Sequence, residues 1–240
     1  MKKSFLTAEW RKLLIFNYTI DPEILKKYIP KGTELDLFEG KCYVSLIGFL
    51  FLNTRLLGFK IPYHSNFEEV NLRFYVKYFE NNEWKRGAVF IKELVPKAAL
   101  SFVANTVYNE HYETVKMDHS WKIDEQQLNI QYCFKFSDKI HSLQAIAENR
   151  LIEIPIGSEA EFITEHYWGY TKYSEKKTFE YGVRHPRWEM YPIISSDVKL
   201  DFENVYGDDF SILNQLEPVS VFLAEGSNIT VEKKRTISNY

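Results

Sequence analysis

The sequence is poor in cysteine and contains no internal repeat, low-complexity segment or linker-like stretch. Its two cysteines, Cys42 and Cys133, both fall inside strand-like runs. That setting favours buried, reduced thiols over a disulfide framework. A chain of 240 residues is long enough to bury a sizeable core without covalent staples. We therefore expect a single domain that spans residues 1–240.

An excess of one charge and a long apolar run are also missing. The formal net charge of −3 gives no argument for nucleic acid or an anionic membrane as a partner. The aromatic residues are not interleaved with a basic patch, which argues further against nucleic-acid binding. No run approaches the roughly 20 apolar residues of a membrane span, and none follows the charged start MKKSFLTAEW as a signal peptide requires. These observations predict a soluble, cytoplasmic protein that binds neither nucleic acid nor a membrane.

Sequence motifs for common cofactors and nucleophiles are missing as well. The chain has no GxGxxG, no Gly-x-Ser-x-Gly elbow, no Walker loop and no CxxC pair. No two histidines have the spacing that places metal ligands on one helical face. We therefore predict neither a cofactor nor a metal, although a metal site assembled from distant residues is left open.

The prominent feature that is present is a predicted β-hairpin at Phe67–Lys97. Polar and apolar residues alternate in its first arm, the period-two pattern of a strand with one apolar face. Glu80–Glu83 reads as the turn, and Trp84 to Leu94 as the returning strand. One face of the first arm carries Glu69, Asn71, Arg73, Tyr75 and Lys77, and the other carries Val70, Leu72, Phe74, Val76 and Tyr78.

The rest of the chain is predicted to be mostly strand. Short helices are expected from Asp21-Pro22, from Pro96 and from the capping box at Ser158. The helix from Pro96 has an apolar stripe of Ala99, Phe102, Val103, Thr106 and Val107. Further elements are a strand at 10–20 entered from a short helix, a strand at 41–59 with a bulge at Gly48, strands at 128–136, 149–156, 179–184, 188–193 and 199–205, a helix at 208–216, and a closing hairpin at 218–231 turned at Glu225-Gly226.

Many strands with few helices and no regular βαβ alternation predict a mainly β (α+β) fold. We expect one domain built on a curved, largely antiparallel, β-barrel-like sheet with peripheral helices. The oligomeric state is left open, with a homo-oligomer as one option.

Three features are candidates for function, and each has a plainer interpretation. The Glu69–Asn71–Arg73 face is either a solvated strand face or a polar site in a dry pocket. Lys97 is either a surface lysine in the first turn of a helix or a desolvated nucleophile that forms a Schiff base with a carbonyl compound. His185 and Trp188 belong either to an ordinary loop and core or to a pocket wall.

Several segments together resemble the DUF2071 family, whose members are uncharacterised proteins of the YqjF type. They are FEEVNLRFYV, RGAVFI, ELVPKAAL, TEHYWGY, RHPRW and PVSVFLAEGS, and the resemblance runs from about Trp10 to Val231. The family is similar in fold to acetoacetate decarboxylase. The resemblance therefore implies a strongly curved β-sheet with helices outside and a cavity inside.

The same resemblance implies roles for individual residues. Pro96-Lys97 is similar to the decarboxylase element whose first lysine forms the Schiff base. Glu69 would then be a cavity carboxylate, and Arg73 would clamp a substrate carboxylate bidentately. Two positions differ from the pattern. Ala98 stands where the decarboxylase has a second, activating lysine, and Asn105 stands where the family often has an arginine.

Two functions of different classes follow from these candidates. In the first, the cavity binds a small, largely apolar molecule with a carboxylate or carbonyl group, oriented by Arg73, Asn71 and Glu69. Tyr75, His185 and Trp188 are further binding residues. In the second, the protein is a decarboxylase-like lyase in which Lys97 is the nucleophile and Glu69 assists proton transfer. A structural or interaction protein with a filled barrel is the third alternative.

Overall fold

The computed structural model of the chain describes residues 4–98, 101, 105–106 and 109–237. Most of the described residues lie in β-strands. The strands are β1 (Ser4–Thr19), β2 (Glu34–Leu35), β3 (Tyr43–Leu56), β4 (Phe59–Lys60), β5 (Phe67–Glu80), β6 (Glu83–Val95), β7 (Tyr112–Thr114), β8 (Lys116–Ile123), β9 (Gln127–Phe136), β10 (Lys139–Glu148), β11 (Ile152–Glu153), β12 (Trp168–Ser174), β13 (Lys177–Arg184), β14 (Glu189–Tyr191), β15 (Ile193–Lys199), β16 (Ser220–Glu232) and β17 (Arg235–Ile237).

Helices are few and short. They are α1 (Pro22–Leu25), α2 (Glu159–Thr164) and α3 (Phe202–Tyr206), with 3-10 helices at Lys26–Tyr28 and Asp208–Gln215. The caps predicted from sequence are confirmed. The side chain of Asp21 accepts from the Glu23 amide, and that of Ser158 accepts from the Glu161 amide. In the described part of the chain, no helix is long and apolar enough to cross a membrane.

The helix predicted from Pro96 can be followed only in part. Ala98, Ser101, Asn105 and Thr106 are helical. The remaining stripe residues Ala99, Phe102, Val103 and Val107 lie outside the described residues.

Two sheets form the fold, and the larger one curves back on itself. Its strand order is β11-β14-β16-β1-β3-β5-β6-β12-β13-β17, and β13 also pairs with β16 through Val183–Val231 and Arg184–Thr230. The hydrogen-bonded path from β16 through β5 to β13 therefore returns to its first strand. The smaller sheet has the order β15-β10-β9-β8. The prediction of a mainly β fold with a curved, largely antiparallel sheet is confirmed.

The faces of the large sheet are buried against different partners. Its outer face carries Val70, Leu72 and Phe74 and forms one core with Ile130 and Tyr132 of the smaller sheet. Its inner face carries Phe67, Tyr75, Phe49 and Leu13 among others, and forms a second core with α2. Because side chains alternate along a strand, β5 contributes to both cores.

Local irregularities bend the long strands. In the β1–β3 ladder, Lys12 and Leu13 together face a single residue of β3, and Lys12 has a φ of 52°. Farther along the same ladder the extra residue is in β3, where Asn53 has a φ of 53°. A third extra residue, Ile91, lies in β6 opposite β5. Bulges of this kind increase strand twist and reverse the side-chain alternation.

Several predicted elements differ in the structure. β1 begins at Ser4, so residues 4–9 are strand and not the short helix expected before Trp10. Gly48 is not the site of the bulge in β3. A Cβ there would lie 2.9 Å from Tyr132 Cδ2, so the glycine admits the tyrosine of the smaller sheet. The strand expected at 149–156 is only Ile152–Glu153.

The largest differences lie near the C-terminus. Residues 199–205 are not a strand, because β15 ends at Lys199 and α3 begins at Phe202. The hairpin predicted at 218–231 is a single strand, β16. Gly226 lies inside this strand with a φ of +81°, and a Cβ on it would be 2.0 Å from the Trp10 carbonyl oxygen. The glycine permits close approach of β16 to β1 rather than a turn.

Candidate functional site

A cavity of about 180 Å³ lies against the inner face of the large sheet. Apolar side chains from β1, β3, β5 and β13 line most of it, including Trp10, Phe49, Phe51, Phe67 and Val183. Trp10 meets Phe49 and Phe51 edge to face, with ring centroids 5.4 and 5.8 Å apart. This region is the apolar part of the cavity.

One end of the cavity is polar because β5 directs three polar side chains into it. Glu69, Asn71 and Arg73 alternate along the strand and all line the cavity. Glu69 and Asn71 are 2% and 1% exposed. Asn71 Nδ2 donates to Glu69 Oε1 at 2.8 Å. The face that the sequence singled out is therefore a buried polar site and not a solvated strand face.

Neighbouring strands add further ionisable groups to this end. Glu93 of β6 is the ladder partner of Asn71, and Tyr112 of β7 is the ladder partner of Glu93. The Tyr112 hydroxyl donates to Glu69 Oε2 at 3.2 Å. Glu110 accepts hydrogen bonds from Thr171 at 2.6 Å and from Tyr181 at 2.9 Å. We call Glu69, Glu93 and Glu110 the carboxyl cluster.

Burial controls the protonation of the carboxyl cluster. Loss of hydration raises the pKa of Glu69 to about 7, against the lowering effect of its hydrogen bonds from Asn71 and Tyr112. The same cause raises the pKa of Glu110 to about 7. Glu93 has its pKa raised well above the ordinary value by burial and by the charges of Glu110 and Glu69. Burial therefore shifts all three carboxyl groups toward their protonated form.

Asn105 positions one member of this site from outside it. Its side-chain amide donates to the Tyr112 carbonyl at 2.9 Å and accepts from the Tyr112 amide at 2.8 Å. The residue where the resemblance suggested a missing cavity charge therefore holds the backbone of Tyr112.

Arg73 brings a positive charge to the polar end with few contacts of its own. Its guanidinium donates at 3.4 Å to the Tyr75 hydroxyl and at 3.5 Å to the Ile163 carbonyl, both long bonds. Tyr75 in turn donates to Ser45 at 2.7 Å, and Ser45 donates to Asn17 at 2.6 Å. Buried Tyr75 therefore links Arg73 to a hydrogen-bonded chain of polar side chains. Tyr75 itself is not among the described residues that line the cavity.

Several residues that line this cavity carry a buried polar side-chain atom with no partner among the described residues. These atoms are Asn71 Oδ1, Glu93 Oε2, Thr54 Oγ1 and Trp10 Nε1. A buried polar group without a hydrogen bond costs about 1–3 kcal/mol. Buried polar groups without a partner are rare, so their presence in four lining residues distinguishes this cavity from an ordinary apolar core.

Lys97 is not among the described residues that line the cavity. It follows the end of β6 and is half-buried. Its carbonyl accepts from the Ser101 amide at 3.3 Å, as in a first helical turn.

His185 and Trp188 lie beside each other, outside the polar end of the cavity. Their rings stack with centroids 4.2 Å apart. Trp188 is buried, donates to Ser227 at 2.8 Å, and meets Trp10 with centroids 6.3 Å apart. His185 lines a separate surface groove with Tyr167 and Trp168. Trp188 thus supports a cavity wall through Trp10.

One group of described residues has the geometry of a metal site. Glu68, Asp118 and His119 place their ligand atoms within 4.8 Å of one another. His119 Nδ1 is 2.6 Å from Glu68 Oε1, and Asp118 is exposed. None of these three residues lines the cavity, so this group is separate from the candidate site.

The sequence interpretation missed Glu93, Glu110, Tyr112 and Tyr181. Glu93 lines the cavity together with Phe90, three positions away, because the bulge at Ile91 reverses the alternation of β6. An acidic residue inside an apolar strand end, ELV, was a usable signal. Glu110 and Tyr112 follow a helix and a loop, so their position depends on tertiary structure.

Solved structures with similar folds are acetoacetate decarboxylase-like enzymes. Acetoacetate decarboxylase from Legionella pneumophila is 14% identical and aligns over 98% of this chain and 88% of its own, with a TM-score of 0.63. An acetoacetate decarboxylase-like enzyme from Sphingomonas wittichii is 10% identical over 100% and 95%, with a TM-score of 0.67. The enduracididine biosynthesis enzyme MppR, solved with pyruvate, is 14% identical over 98% and 91%, also with 0.67. At these identities the likeness defines the fold as acetoacetate decarboxylase-like.

The sequence defines the family more narrowly. Residues 7–228 match the model of the DUF2071 family, described as an uncharacterized conserved protein. The uncharacterized protein YqjF of Bacillus subtilis is 28% identical over 185 residues, which are 75% of this chain and 72% of that protein. The chain belongs to the DUF2071 family.

Proposed function

We propose that the cavity binds a small, largely apolar molecule that carries a carbonyl or carboxylate group, and that this ligand is the protein's substrate or effector. The observation that carries the proposal is the polar end formed by Glu69, Asn71 and Arg73 within an otherwise apolar cavity. Ligand sites commonly combine an apolar wall with a few convergent polar groups.

The charges at the polar end favour this chemistry. The Arg73 guanidinium makes two long hydrogen bonds, so it keeps donors for a ligand oxygen. Burial raises the pKa of Glu93 well above its ordinary value and so favours its protonated form, and a protonated carboxyl donates a hydrogen bond to a carbonyl oxygen. Pyruvate, with which the similar fold MppR was solved, carries both groups on one small skeleton.

Binding to three cyclohexane derivatives tests the ligand class. Cyclohexanone, cyclohexanecarboxylate and cyclohexylamine share a ring and differ in the polar group. Calorimetric titration is expected to give binding of the ketone and the carboxylate that is at least about tenfold tighter than that of the amine. Tightest binding of the amine, or no binding of any of the three, would overturn the proposal.

The variant Arg73→Met distinguishes binding of the carboxylate from binding of the ketone. A charge-assisted hydrogen bond contributes roughly 1.5–3 kcal/mol, so the variant should bind the carboxylate at least about tenfold more weakly. Its affinity for the ketone should change less. Arg55→Met is the matched control, because Arg55 is an exposed residue of β3 that is not among the described lining residues.

A Schiff-base lyase that uses Lys97 is the second candidate, and the fold of the similar decarboxylases favours it. Borohydride trapping with a set of β-keto acids distinguishes it from simple binding. A mass adduct on Lys97 that disappears in Lys97→Ala would support the lyase. Absence of an adduct with a β-keto acid that demonstrably binds would exclude it.

The proposal includes a cytoplasmic location. Cys42 and Cys133 are free thiols, as expected in a reducing compartment. Fractionation of a cell that expresses the full chain tests the location, and recovery outside the cytoplasmic fraction would contradict it.

A further inference from the structure

We propose that the cavity catalyses proton exchange at the carbon next to a ligand's carbonyl group, with Glu69 as the base and Glu93 as the acid. The inference rests on the proposed binding of a carbonyl compound. It assigns an activity to the polar end that does not use Lys97.

The two carboxyl groups lie on neighbouring strands and differ in their surroundings. Glu69 accepts one hydrogen bond on each oxygen, from Asn71 at 2.8 Å and from Tyr112 at 3.2 Å. Hydrogen bonds donated to a carboxylate favour its charged form. Glu93 is 3% exposed, and its Oε2 has no partner among the described residues. Glu93 also lines the cavity, which places its carboxyl group beside the proposed ligand.

The protonation of the pair supports the assignment of roles. Glu69 has a pKa raised to about 7 by burial, so near neutral pH a large fraction carries the charge that a base needs. The pKa of Glu93 is raised well above the ordinary value by burial and by the charges of Glu110 and Glu69. When two carboxyl groups in one site have different pKa values because their environments differ, one commonly acts as the acid and the other as the base.

The other ionisable groups that line the cavity are Glu110, Arg73, His64, Tyr112 and Tyr181. Glu110 is held by hydrogen bonds from Thr171 and Tyr181. Arg73 and His64 also line the cavity, and the pKa of Tyr112 is raised well above its ordinary value, which keeps its hydroxyl protonated. Tyr112 therefore acts as a donor to Glu69, and Arg73 orients the ligand.

The reaction balances without an oxidant or a second substrate. The Glu69 carboxylate takes a proton from the α-carbon, and the electron pair of that C–H bond forms a carbon–carbon double bond. The π electron pair of the carbonyl bond moves at the same time onto the carbonyl oxygen. The carbonyl oxygen takes the proton of the Glu93 carboxyl, which gives a neutral enol. Reversal returns a proton to the α-carbon from Glu69 after this group has exchanged with solvent.

Hydrogen–deuterium exchange of cyclohexanone in D2O measures this step directly. With the full-length protein, the proton NMR signal of the α-methylene groups should disappear faster than in buffer alone. A general acid or base contributes typically about 10²–10⁴-fold, so Glu93→Gln and Glu69→Gln should each slow the catalysed exchange by at least about 100-fold. Glu68→Gln is the matched control, since Glu68 points away from the cavity toward His119 and should leave the rate unchanged.

The same samples are used to measure cyclohexanone affinity and thermal unfolding, which separates the possible failures. Binding without catalysed exchange would overturn this inference and leave the proposed function standing. No binding to the folded wild-type protein would overturn the proposed function itself. Exchange that is lost in Lys97→Ala and accompanied by a borohydride-stable adduct would assign the chemistry to Lys97 and contradict the inference. If Glu93→Gln does not fold, Tyr112→Phe provides the second variant, with an expected loss of about tenfold or more.

Discussion

Individual carboxyl groups in this protein show how burial controls protonation. Glu69, Glu93 and Glu110 are each less than a tenth exposed, and each has its pKa raised by loss of hydration. Their hydrogen-bond partners differ, so the three groups do not hold protons equally. A site with protonated and ionised carboxyl groups side by side follows from burial and a few hydrogen bonds.

The carboxyl cluster should make the protein less stable as pH rises. A carboxyl whose pKa is raised in the folded state stabilises fully below its unfolded value of 4.5, and this contribution is lost as pH rises through about 7. We expect the free energy of unfolding to fall by about 1–3 kcal/mol for each such group between pH 5 and 8. Chemical denaturation across this range measures it.

Glu69→Gln is the variant that tests this prediction, because it removes one titrating group of the cluster. The fall in stability between pH 5 and 8 should be smaller in the variant than in the wild type. His166 acts in the opposite direction. Burial lowers its pKa to about 4, so its contribution is lost as pH falls below 6.5. Equal pH dependence of the wild type and of Glu69→Gln would contradict the prediction for the carboxyl cluster.

Among the elements, the bulged strands do most to build the cavity. Without the extra residues at Lys12, Asn53 and Ile91, each strand would keep one alternation from end to end. Trp10 and Leu13 then could not both line the cavity, as they do. The same holds for Phe90 and Glu93.

Gly226 of β16 is expected to be highly sensitive to substitution, because it combines a positive φ with a close backbone contact. Gly226→Ala places a Cβ 2.0 Å from the Trp10 carbonyl oxygen at a φ of +81°. We expect a loss of about 3 kcal/mol or more in the free energy of unfolding, or failure to fold. Gly58→Ala is the matched control, with a φ of +89° and nothing within 4 Å of the added atom. It should cost only about 1 kcal/mol, and equal effects of the two substitutions would contradict this account.

The sequence predicts regular elements well and irregular ones poorly. The β5–β6 hairpin, the turn between its strands, the α1 and α2 caps and strand β9 follow from alternation and capping residues, and the structure confirms them. No residue type marks the bulge at Lys12, whereas Asn53 is of a type that adopts positive φ more often than most. Glu225-Gly226 has the composition of a turn, although tertiary packing places it inside a strand.

The candidate site divides in the same way. Glu69, Asn71 and Arg73 share a face because of the strand period, and this was predictable. Glu93 required knowledge of the bulge, and Glu110 with Tyr112 required knowledge of the path between β6 and β7. The roles of Lys97, His185 and Trp188 stay predictions, and the structure places none of the three at the polar end.

At the scale of the whole molecule, a half-exposed arginine and a buried carboxylate form an ion pair that joins β17 to the rest of the large sheet. Glu180 of β13 has a wholly buried side chain and accepts from Arg235 of β17 at 2.6 Å. Lys85 of β6 is 3.4 Å away, and Tyr170 of β12 donates at 3.1 Å. Four strands therefore meet at one carboxylate.

Removal of Arg235 should weaken this junction. Arg235→Met leaves Glu180 buried with Lys85 as its remaining positive partner, and we expect a loss of about 2 kcal/mol in the free energy of unfolding. Arg184→Met is the control, since Arg184 is 74% exposed in its side chain although it also pairs with a glutamate, Glu232. Exposed pairs contribute little, so its effect should be smaller. A larger effect of Arg184→Met would contradict the importance of the buried junction.

The central claim is that the cavity holds a carbonyl or carboxylate group at its Glu69–Asn71–Arg73 end. The most direct test is a crystal structure of the protein with cyclohexanecarboxylate. The account predicts the ring against Phe49 and Phe51, with a carboxylate oxygen within about 3 Å of an Arg73 nitrogen. A ligand bound outside the cavity, or a carboxylate turned away from Arg73, would contradict it.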